Sequence, residues 1–500
     1  MSKPEWLLAQ EHTGASNCFL LGNVPLHELE AFRNYKEIVW FVGHEALARG
    51  HVLPDNFNTV QIETITQEQL EEIVQLLIQA DPRVLPSIFC SHTILEKDSG
   101  AYEYILGRIH MHSDETLRAR QTRQEEGFTA QQNILRNLLP YTKNRFSSRN
   151  ENLMSGSPVA IVGAGPSLDT SVGVLKGIQE KVFIFAVDSA LAVLYREGIS
   201  PDATFSIDAE KDSQACVPEQ MPLGTLFLSS KSPPDWLDQH AVQSLFLSGN
   251  NLTEDWLEKF GIRKTSLRVL GNCGITAANV AAFMGFSPIL LFGLDHATDE
   301  SGAGHAKDVN QEVSRGKTHN PANRTATVPG NYKEKVKTFL FNEWEKLDQL
   351  ISSRPVNQEV WNITDRGAKY AKARLIHPEE FNYTPSIPKG KSSLTFIGES
   401  IPNQTSQAIL DTVSNLLGGE MDTFKTLISM GTPQAPQCLP MLSRLYCHPE
   451  ISLLLGTLSF KVIPHLLKWQ TTPDSLKHQI LLETQTMCRL LCDTIPRQQN

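Results

Sequence analysis

Short apolar runs in the middle of the chain alternate with helical patterns. The runs are apolar throughout, as is typical of strands that are buried on both faces of a sheet. They lie at 158–162, 182–187, 203–207, 225–229, 244–248, 267–270 and 288–293. Helical patterns at 167–180, 189–198 and 273–286 separate several of them. This alternation is typical of α/β proteins, so residues 151–380 are predicted to form a Rossmann-like domain with a mostly parallel sheet.

The segment that precedes this domain mixes strand-like and helical patterns. Strand-like runs at 37–43 and 59–65 are followed by a helical pattern at 66–80 and by polar helices within 114–141. Residues 1–150 are therefore predicted to form a smaller α/β domain. The apolar face predicted for the helix at 66–80 carries Leu70, Ile73, Leu76 and Leu77.

Two further segments differ from both. Residues 142–158 are polar and rich in serine and asparagine, which predicts a linker between the first two domains. Residues 381–500 carry long helical patterns at 405–419, 450–469 and 474–495. They are predicted to form a helical C-terminal domain.

Composition narrows the class of protein. A chain of 500 residues exceeds one compact core and predicts two to four domains. The net charge of −10 argues against sequence-independent binding of nucleic acid, which needs a basic surface. The apolar stretches are shorter than a membrane span, and the first residues lack the pattern of a secretory signal. Together with eight scattered cysteines, this predicts a cytoplasmic protein with reduced thiols and no membrane partner.

Cys488 and Cys492 lie four residues apart on a predicted helix, and Cys447-His448 precedes that helix. These residues could form a zinc site. The same spacing places both thiols on one buried helix face, where cysteine packs as a small apolar residue. The packing interpretation is favoured.

Small or acidic residues follow one predicted strand after another. Ligands of open parallel sheets bind outside the carboxyl ends of the strands. A single aspartate at such an end is often only a helix N-cap, but several together predict a polar crevice. The residues that follow the strands are Gly163 to Ser167, Asp188-Ser189, Asp208 with Glu210 and Asp212, Gly271 to Cys273, and Leu294 to His296.

The loop Gly163-Ala164-Gly165-Pro166-Ser167 matches neither common phosphate loop. A dinucleotide fingerprint needs a third glycine where this chain has Leu168, and no P-loop Gly-Lys-Ser/Thr follows. The loop is still predicted to let a ligand approach the backbone at Gly163 and Gly165. Pro166 and Ser167 then begin a helix whose first amides can receive an anion. A purely structural turn is the alternative.

Three stretches together resemble the motility-associated factor family, which are bacterial glycosyltransferases linked to flagellin glycosylation. They read GAGPSLD (163–169), VDSALAVLYREGISPDATFSIDAE (187–210) and GNCGITAANVAAFMGFSPILLFGLDHATDESGAGHA (271–306). A looser resemblance continues through NITDRGAKYAKARLI (362–376). The three-part layout is also similar. Bacterial sialyltransferases that use CMP-activated sugars share the loop, and an archaeal hydroxymethyl-dihydropterin pyrophosphokinase is a smaller relative of the central domain.

This resemblance implies a pocket for a CMP-activated sugar. Its nucleotide is implied to lie against Gly163, Gly165, Pro166, Ser167 and Leu168. Asp188, Ser189 and Asp208 are implied to face the same crevice. Asn272, Thr276 and Asp295 are implied to approach the sugar or the acceptor, with Asp295 in the catalytic set.

His305 matches a position that the family usually fills with histidine. A histidine with a pKa near neutrality suits the base that takes the proton of the acceptor hydroxyl. The alternative is an exposed loop histidine. Departures from the family pattern at 271–274, at 294–296 and in Asp365 to Tyr370 affect the identity of sugar and acceptor more than the fold.

Two other groups carry side chains that are able to react or to bind a metal ion. Cys273 lies at a predicted helix start, which can lower the pKa of a thiol, but without a nearby histidine a packing role is favoured. Asp208, Glu210 and Asp212 could hold Mg²⁺ beside phosphates. Since a CMP-sugar carries a single phosphate, no essential metal or other cofactor is predicted.

The leading hypothesis is a glycosyltransferase that moves a nonulosonic (sialic-like) sugar from a CMP donor to Ser or Thr of flagellin. One alternative is a pyrophosphokinase that acts on a hydroxymethyl-dihydropterin with ATP and Mg²⁺, although such an enzyme does not need two large flanking domains. Another is a non-catalytic binder of flagellin or of a sugar nucleotide. Replacement of His305 or Asp208 distinguishes the binder from the enzymes, because a binder keeps its biological effect when residues needed for turnover are lost.

Overall fold

The computed structural model describes residues 7–43, 53–80, 84–96, 98–298, 302–307, 309, 326–383 and 394–494. The chain forms two compact units, Met1–Thr122 and Arg123–Asn500. The division into three domains at 150 and 380 stays a prediction.

The first unit is built on a five-stranded sheet in the order β1-β5-β2-β3-β4. Only β1 runs antiparallel to its neighbour. The strands are β1 (Leu8–Gln10), β2 (Asn17–Leu21), β3 (Glu37–Val42), β4 (Phe57–Gln61) and β5 (Ser87–Cys90). This confirms the α/β class of the segment.

Helices of this part of the chain comprise Leu26–Leu29, Gln67–Ala80 and Ser99–Glu125. Helix Gln67–Ala80 buries Leu70, Val74, Leu77 and Ile78. The predicted face was wrong at Leu76, which is 62% exposed. At 100° per residue, Leu76 lies on the opposite side of the helix from Leu70 and Val74.

The second unit contains a ten-stranded sheet in the order β16-β15-β12-β7-β8-β9-β10-β11-β6-β17. Every neighbouring pair is parallel except β6 with β17. The strands are β6 (Arg145–Phe146), β7 (Val159–Val162), β8 (Phe183–Val187), β9 (Ala203–Ser206), β10 (Thr225–Ser229), β11 (Gln243–Leu247), β12 (Ile289–Phe292), β15 (Val360–Ile363), β16 (Arg374–Ile376) and β17 (Gly398–Glu399). The predicted mostly parallel sheet is confirmed.

Two expectations for this unit were wrong. The run at 267–270 is no strand, because only Arg268 pairs, in an isolated bridge with Ser248. The polar segment 142–158 is no linker, because it contains β6, and because Ser147 and Asn150 are fully buried. Asn150 donates to the carbonyls of Ser147 and Ile397, which explains why a polar segment packs here.

The order of the strands reverses between β7 and β12. From β7 the chain adds β8, β9, β10 and β11 on one side, and then returns to place β12 on the other. In parallel sheets, the carboxyl ends at such a reversal form the ligand-binding crevice. The loops that follow β7 and β12 therefore define the candidate site.

Helices cover the sheet and continue to the end of the unit. Those up to the last strand are Gly127–Arg136, Leu138–Lys143, Leu168–Ile178, Leu191–Arg196, Ser213–Cys216, Leu252–Leu257, Cys273–Phe283 and Phe341–Ser352. A short antiparallel pair, β13 (Ala326–Pro329) and β14 (Lys335–Thr338), precedes the last of these. The C-terminal helices are Asn403–Gly419, Met421–Ser429, Cys438–Tyr446, Ile451–Leu466 and Asp474–Thr494.

The C-terminal helices share one hydrophobic core with the sheet. Gln131 makes part of this connection. Its side chain donates to the carbonyl of Leu454 (2.7 Å) and accepts from the amide of Thr457 (2.8 Å). Between them lies Gly456, whose φ of 41° breaks the helix. Gln131 therefore replaces backbone hydrogen bonds that the kink removes.

Of the two cysteines on the last helix, Cys488 packs in the core and Cys492 is half-buried. Cys488 is fully buried, and Cys447 is exposed. Within the described residues, no group of three or more His, Cys, Asp or Glu side chains is arranged to hold a metal ion. Across the same residues, no helix combines the length and the apolar character that crossing a bilayer requires.

Candidate functional site

The loop after β7 is bound along its length by the end of β12. The amide of Gly163 donates to the carbonyl of Phe292, and the amide of Gly165 donates to the carbonyl of Gly293, both at 2.8 Å. A Cβ on Gly163 would lie 2.5 Å from the Gly293 carbonyl oxygen, and a Cβ on Gly165 would lie 2.6 Å from Oδ2 of Asp295. Both glycines are thus required for this close approach. Contact of their backbone with a nucleotide stays a prediction.

Asp295 fastens the end of the same loop. Its Oδ2 accepts from the backbone amide of Ser167 at 2.7 Å, and its Oδ1 accepts from the Ser167 hydroxyl at 2.6 Å. Both side chains are buried. Burial raises the pKa of Asp295, and the two hydrogen bonds from Ser167 oppose that rise. The amide and hydroxyl of Ser167 are therefore engaged inside the protein.

The remaining loop residues are mostly enclosed. Pro166 and Leu168 are buried, and Leu168 begins the helix that ends at Ile178. Gly165 is partly exposed. Of the five residues implied to line a nucleotide, Gly165 is thus the one whose backbone is accessible from outside.

Asp188, at the end of β8, is the centre of a second polar group. It is 1% exposed. Its Oδ1 accepts from the amide and hydroxyl of Ser189 and from Nζ of Lys211 at 3.0 Å. Its Oδ2 accepts from the hydroxyl of Ser206, and the Cys273 thiol donates to it at 3.6 Å. Both oxygens of the buried carboxylate therefore accept hydrogen bonds from within the protein.

The sequence analysis did not single out Lys211. Burial lowers the pKa of its ammonium group, but the charges around it, chiefly Asp188, raise it by more. Lys211 therefore remains a cation, and it also donates to the Ser189 hydroxyl at 2.8 Å. The available signal was one lysine within the acidic stretch 208–212.

The same group decides the chemistry of Cys273. Burial, followed by the charge of Asp188, raises the pKa of this thiol far above its usual value. The thiol stays protonated near neutral pH, which supports the packing role and disfavours a nucleophile.

Two carboxylates of the acidic stretch accept hydrogen bonds from nearby backbone amides. Asp212 caps helix Ser213–Cys216 by accepting from the amide of Ala215 at 2.8 Å, as an N-cap aspartate does. Asp208 accepts from the amide of Glu210 at 3.1 Å and is partly exposed. Asp208 also lies close enough to Lys211 to raise the pKa of that lysine.

Asn272 and Thr276 belong to the start of helix Cys273–Phe283. Oδ1 of Asn272 caps the helix by accepting from the amide of Ile275 at 2.9 Å. Thr276 is fully buried, where its hydroxyl donates to the carbonyl of Asn272 and accepts from the amide of Leu270. Asn272 is partly exposed. Of the two residues, only Asn272 is accessible to a ligand.

His296 is a buried residue that the sequence analysis left without a role. Its Nε2 lies 3.1 Å from Nδ2 of Asn272, and its Nδ1 lies 2.9 Å from the hydroxyl of Tyr370. The Tyr370 hydroxyl donates to the carbonyl of Leu294 at 2.6 Å. Burial lowers the pKa of His296 to about 4, so the ring is neutral at neutral pH. The signal was the histidine in Leu-Asp-His, which departs from the family pattern.

The segment of His305 lies against the first loop. The amide of Ala306 donates to the carbonyl of Ala164 at 2.8 Å. The amide of Lys307 lies 3.3 Å from both oxygens of Asp169. His305 is half-buried and directly precedes these two contacts in sequence. The structure thus brings His305 to the loop Gly163–Ser167, although 138 residues separate Lys307 from Asp169.

Comparison with known proteins agrees with this architecture. Residues 132–301 match a family model described as 6-hydroxymethylpterin diphosphokinase MptE-like. The Maf glycosyltransferase from Magnetospirillum magneticum AMB-1 is similar in structure, with a TM-score of 0.52 and 16% identity over 96% of this chain and 80% of that one. The resemblance to the motility-associated factor family is confirmed at the level of fold and central domain. No curated protein matches in sequence.

Two sialyltransferases of Campylobacter jejuni are more distantly similar. CstII in complex with a substrate analogue and cytidine-5'-monophosphate has 13% identity and a TM-score of 0.24, over 51% of this chain and 97% of that one. The α-2,3-sialyltransferase Cst-I has 14% identity and a TM-score of 0.22, over 52% of this chain and 95% of that one. Their names describe those proteins only.

Proposed function

We propose that this protein is a glycosyltransferase that moves a nonulosonic sugar from a CMP-activated donor to Ser or Thr of flagellin. The observation that carries the proposal is the meeting of the His305 segment with the Gly163–Ser167 loop, through the hydrogen bond from Ala306 to Ala164. This places a histidine beside the strand-order reversal, where ligands of parallel sheets bind.

Each accessible group has a defined task in this proposal. His305 accepts the proton of the acceptor hydroxyl as it attacks the anomeric carbon. Lys211, whose ammonium group is held by Asp188, supplies positive charge for the anionic donor. Gly165 and Asn272 offer polar groups to the nucleotide and the sugar.

Asp295 is assigned a different task from the one that the resemblance implied. Its two oxygens are taken by Ser167, and its side chain is buried. We therefore assign Asp295 as a positioning residue that holds the first loop, and not as a group that touches sugar or acceptor.

The pyrophosphokinase remains a second candidate, because the matching family model carries that description. Such a reaction uses Mg²⁺ held by carboxylates beside the phosphates of ATP. Here Asp188 is paired with Lys211, Asp212 caps a helix, and Asp295 is fastened to Ser167. These engagements favour a donor with one phosphate.

Ligand-dependent thermal unfolding distinguishes the candidates. At 100 times its dissociation constant, a ligand adds about 2.7 kcal/mol to the free energy of unfolding. Stabilisation by CMP without a metal supports the proposal. Stabilisation only by ATP with Mg²⁺ overturns it in favour of the pyrophosphokinase.

Transfer is then tested by mass spectrometry of flagellin incubated with a CMP-nonulosonate. The wild-type protein is expected to add one sugar mass per modified Ser or Thr. His305→Asn is expected to keep CMP binding and to lose transfer. Equal transfer by both proteins contradicts the base role of His305. A biological effect that persists although His305→Asn transfers no sugar supports the non-catalytic binder.

A further inference from the structure

His296 lies at the strand-order reversal in a backbone conformation that is unusual for its type. Its φ is +40°, in the left-handed region that residues other than glycine rarely adopt. It follows Asp295, the residue that fastens the first loop. Strained conformations of this kind persist where the surrounding structure fixes them, often at functional sites.

The hydrogen atoms of this group can be assigned one by one. The single hydroxyl proton of Tyr370 is donated to the carbonyl of Leu294. Toward Nδ1 of His296, 2.9 Å away, the Tyr370 oxygen therefore acts as an acceptor, and Nδ1 carries the proton. In the neutral ring, Nε2 is then an acceptor.

This tautomer fixes the orientation of Asn272. Nε2 of His296 accepts from Nδ2 of Asn272 at 3.1 Å, while Oδ1 of Asn272 caps the helix through Ile275. One N–H of the amide is thus donated to His296. For the second N–H, the described part of the chain shows no acceptor at hydrogen-bond distance.

A helix cap alone does not require this arrangement. Serine or aspartate caps a helix as well as asparagine does, with an oxygen only. Here two buried residues, His296 and Tyr370, fix the nitrogen of the amide, and the amide itself is partly exposed. The next residue, Cys273, contacts Asp188, the partner of Lys211. The amide therefore lies on the same polar edge as that cation.

We propose that His296 is a positioning residue that holds the Asn272 amide so that its second N–H donates to an oxygen of the CMP moiety of the bound donor. Tyr370 fixes the tautomer of His296, and the Leu294 carbonyl fixes the hydroxyl of Tyr370. This inference rests on the proposed function and adds to it a group that binds the donor.

The first test measures CMP affinity by calorimetry on the full chain. Asn272→Ser keeps a capping oxygen and removes the amide. Tyr370→Phe keeps the aromatic ring and removes the hydroxyl oxygen that holds the His296 proton on Nδ1. Each is expected to weaken CMP binding about tenfold, the size of one hydrogen bond to a charged ligand. The double variant is expected to bind CMP no more weakly than Asn272→Ser, because both changes act through one donor.

Tyr446→Phe is the matched control. It also removes a buried tyrosine hydroxyl, which lies 2.9 Å from the hydroxyl of Thr484 in the C-terminal helices. Its CMP affinity is expected to equal that of the wild type. This control separates loss of positioning from a general loss of stability.

The second test observes the tautomer directly in ¹⁵N spectra of histidine-labelled protein, with the His296 signals assigned by His296→Asn. The wild-type ring is expected to carry its proton on Nδ1, and Tyr370→Phe is expected to move it toward Nε2. This readout needs no ligand. A wild-type ring protonated on Nε2 overturns the inference.

The outcomes separate the inference from the function on which it rests. If the wild type binds CMP and Asn272→Ser binds it equally well, the positioning role is wrong and the proposed function stands. The same holds if Tyr370→Phe weakens binding further in the Asn272→Ser background. If the wild type does not bind CMP, the proposed function fails and the inference fails with it.

Discussion

The carboxyl edge of the ten-stranded sheet has two halves that satisfy their polar groups in different ways. One half, at the ends of β10 and β11, comprises Ser229 to Ser232 and Ser248-Gly249; we call it the sealed half. The other, at the ends of β12, β7 and β8, carries Asp188, Asp295 and His296, together with Lys211; we call it the ionisable half.

Amide side chains of helix Gly127–Arg136 and its C-terminal end close the sealed half. Nδ2 of Asn137 donates to the carbonyls of Ser230 and Ser232, and Nδ2 of Asn133 donates to those of Ala209 and Lys231. The carboxyl group of Glu254 is also buried there. It accepts from the Ser230 hydroxyl and the Gly249 amide.

The comparison shows that polar groups at strand ends serve either packing or a candidate site. In the sealed half, neutral amides from another helix take up the carbonyls, so those groups act in packing. In the ionisable half, a cation, a neutral histidine and a glycine turn lie beside partly exposed groups. Perturbed ionisable groups of this kind concentrate at functional sites.

Gly165→Ala is expected to have the largest effect on the ionisable half. The added Cβ would lie 2.6 Å from Oδ2 of Asp295 and 2.7 Å from the Gly293 carbonyl oxygen. Neither is the free end of a flexible side chain, so the loop has to separate from β12. We expect the free energy of unfolding to fall by about 4 kcal/mol or more. Denaturant unfolding followed by circular dichroism measures it.

Gly173→Ala is the control for that substitution. Gly173 lies in helix Leu168–Ile178, and nothing is within 4 Å of a Cβ placed there. Because alanine is the better helix former, this variant is expected to gain about 0.5 kcal/mol. Equal denaturant midpoints for Gly165→Ala and the wild type would show that stability does not require the close approach of the Gly163–Ser167 loop to Gly293 and Asp295.

Lys211→Met leaves the buried Asp188 carboxylate without its cation. Removal of one partner of a buried ion pair costs about 3–5 kcal/mol. Since the Lys211 side chain is 18% exposed, we expect about 3 kcal/mol, together with weaker CMP binding. The double variant with Asp188→Asn is expected to recover part of the stability, because no charge is left unpaired.

Lys176→Met serves as its matched control. Lys176 pairs with Glu197 at 3.6 Å, with side chains 53% and 37% exposed. Such a pair contributes about 0–1 kcal/mol, so stability and CMP affinity are expected to change little. If Lys211→Met behaves like this control, Lys211 is not an internal counter-ion.

Asn137→Asp tests the sealed half. It replaces the donor nitrogen by an oxygen that faces the carbonyls of Ser230 and Ser232, now 2.9 and 2.7 Å from Nδ2. We expect a loss of about 2–3 kcal/mol on unfolding. CMP affinity of the folded protein should stay at the wild-type value, as also for the exposed control Asn403→Asp. A loss of affinity in Asn137→Asp would remove the distinction between the halves.

The sequence predicted the central strands well because burial on both faces leaves a continuous apolar run. The predicted 158–162, 182–187 and 225–229 agree with β7, β8 and β10 to within a residue. Strand β15 and the two edge strands, β16 and β17, were not predicted. These strands are short or partly exposed, as at Arg374–Ile376, so no continuous apolar run marks them in the sequence.

For the site, the sequence located strand ends and missed the partners that meet there. Asp188 and the first loop followed from the rule for parallel sheets. His296 gains its meaning from Tyr370, which is 74 residues away, and Asn137 from Ser230, which is 93 residues away. Hydrogen bonds over such separations leave no periodic pattern, so only the fold reveals them.

The smallest expected effect is a pH dependence that arises from His296 in the ionisable half. Burial lowers the pKa of His296 to about 4 from its ordinary value of 6.5. As the pH falls below 6.5, the unfolded chain takes up the proton before the native protein does. The stability that the neutral ring contributes is therefore full above pH 6.5 and is lost as the pH falls toward 4.

His296→Asn removes this titration, and asparagine tolerates the left-handed backbone. Between pH 7 and 5.5, wild-type stability is expected to fall by about 1.2 kcal/mol more than that of the variant, as linkage gives for a pKa of 6.5 in the unfolded chain and about 4 in the native protein. Denaturant unfolding of both proteins at the two pH values measures the difference. Asp295, whose pKa burial raises, is present in both proteins and cancels in the comparison. Parallel pH profiles would mean that the ring is solvated in the folded protein, and the edge would then have no buried neutral histidine to orient Asn272.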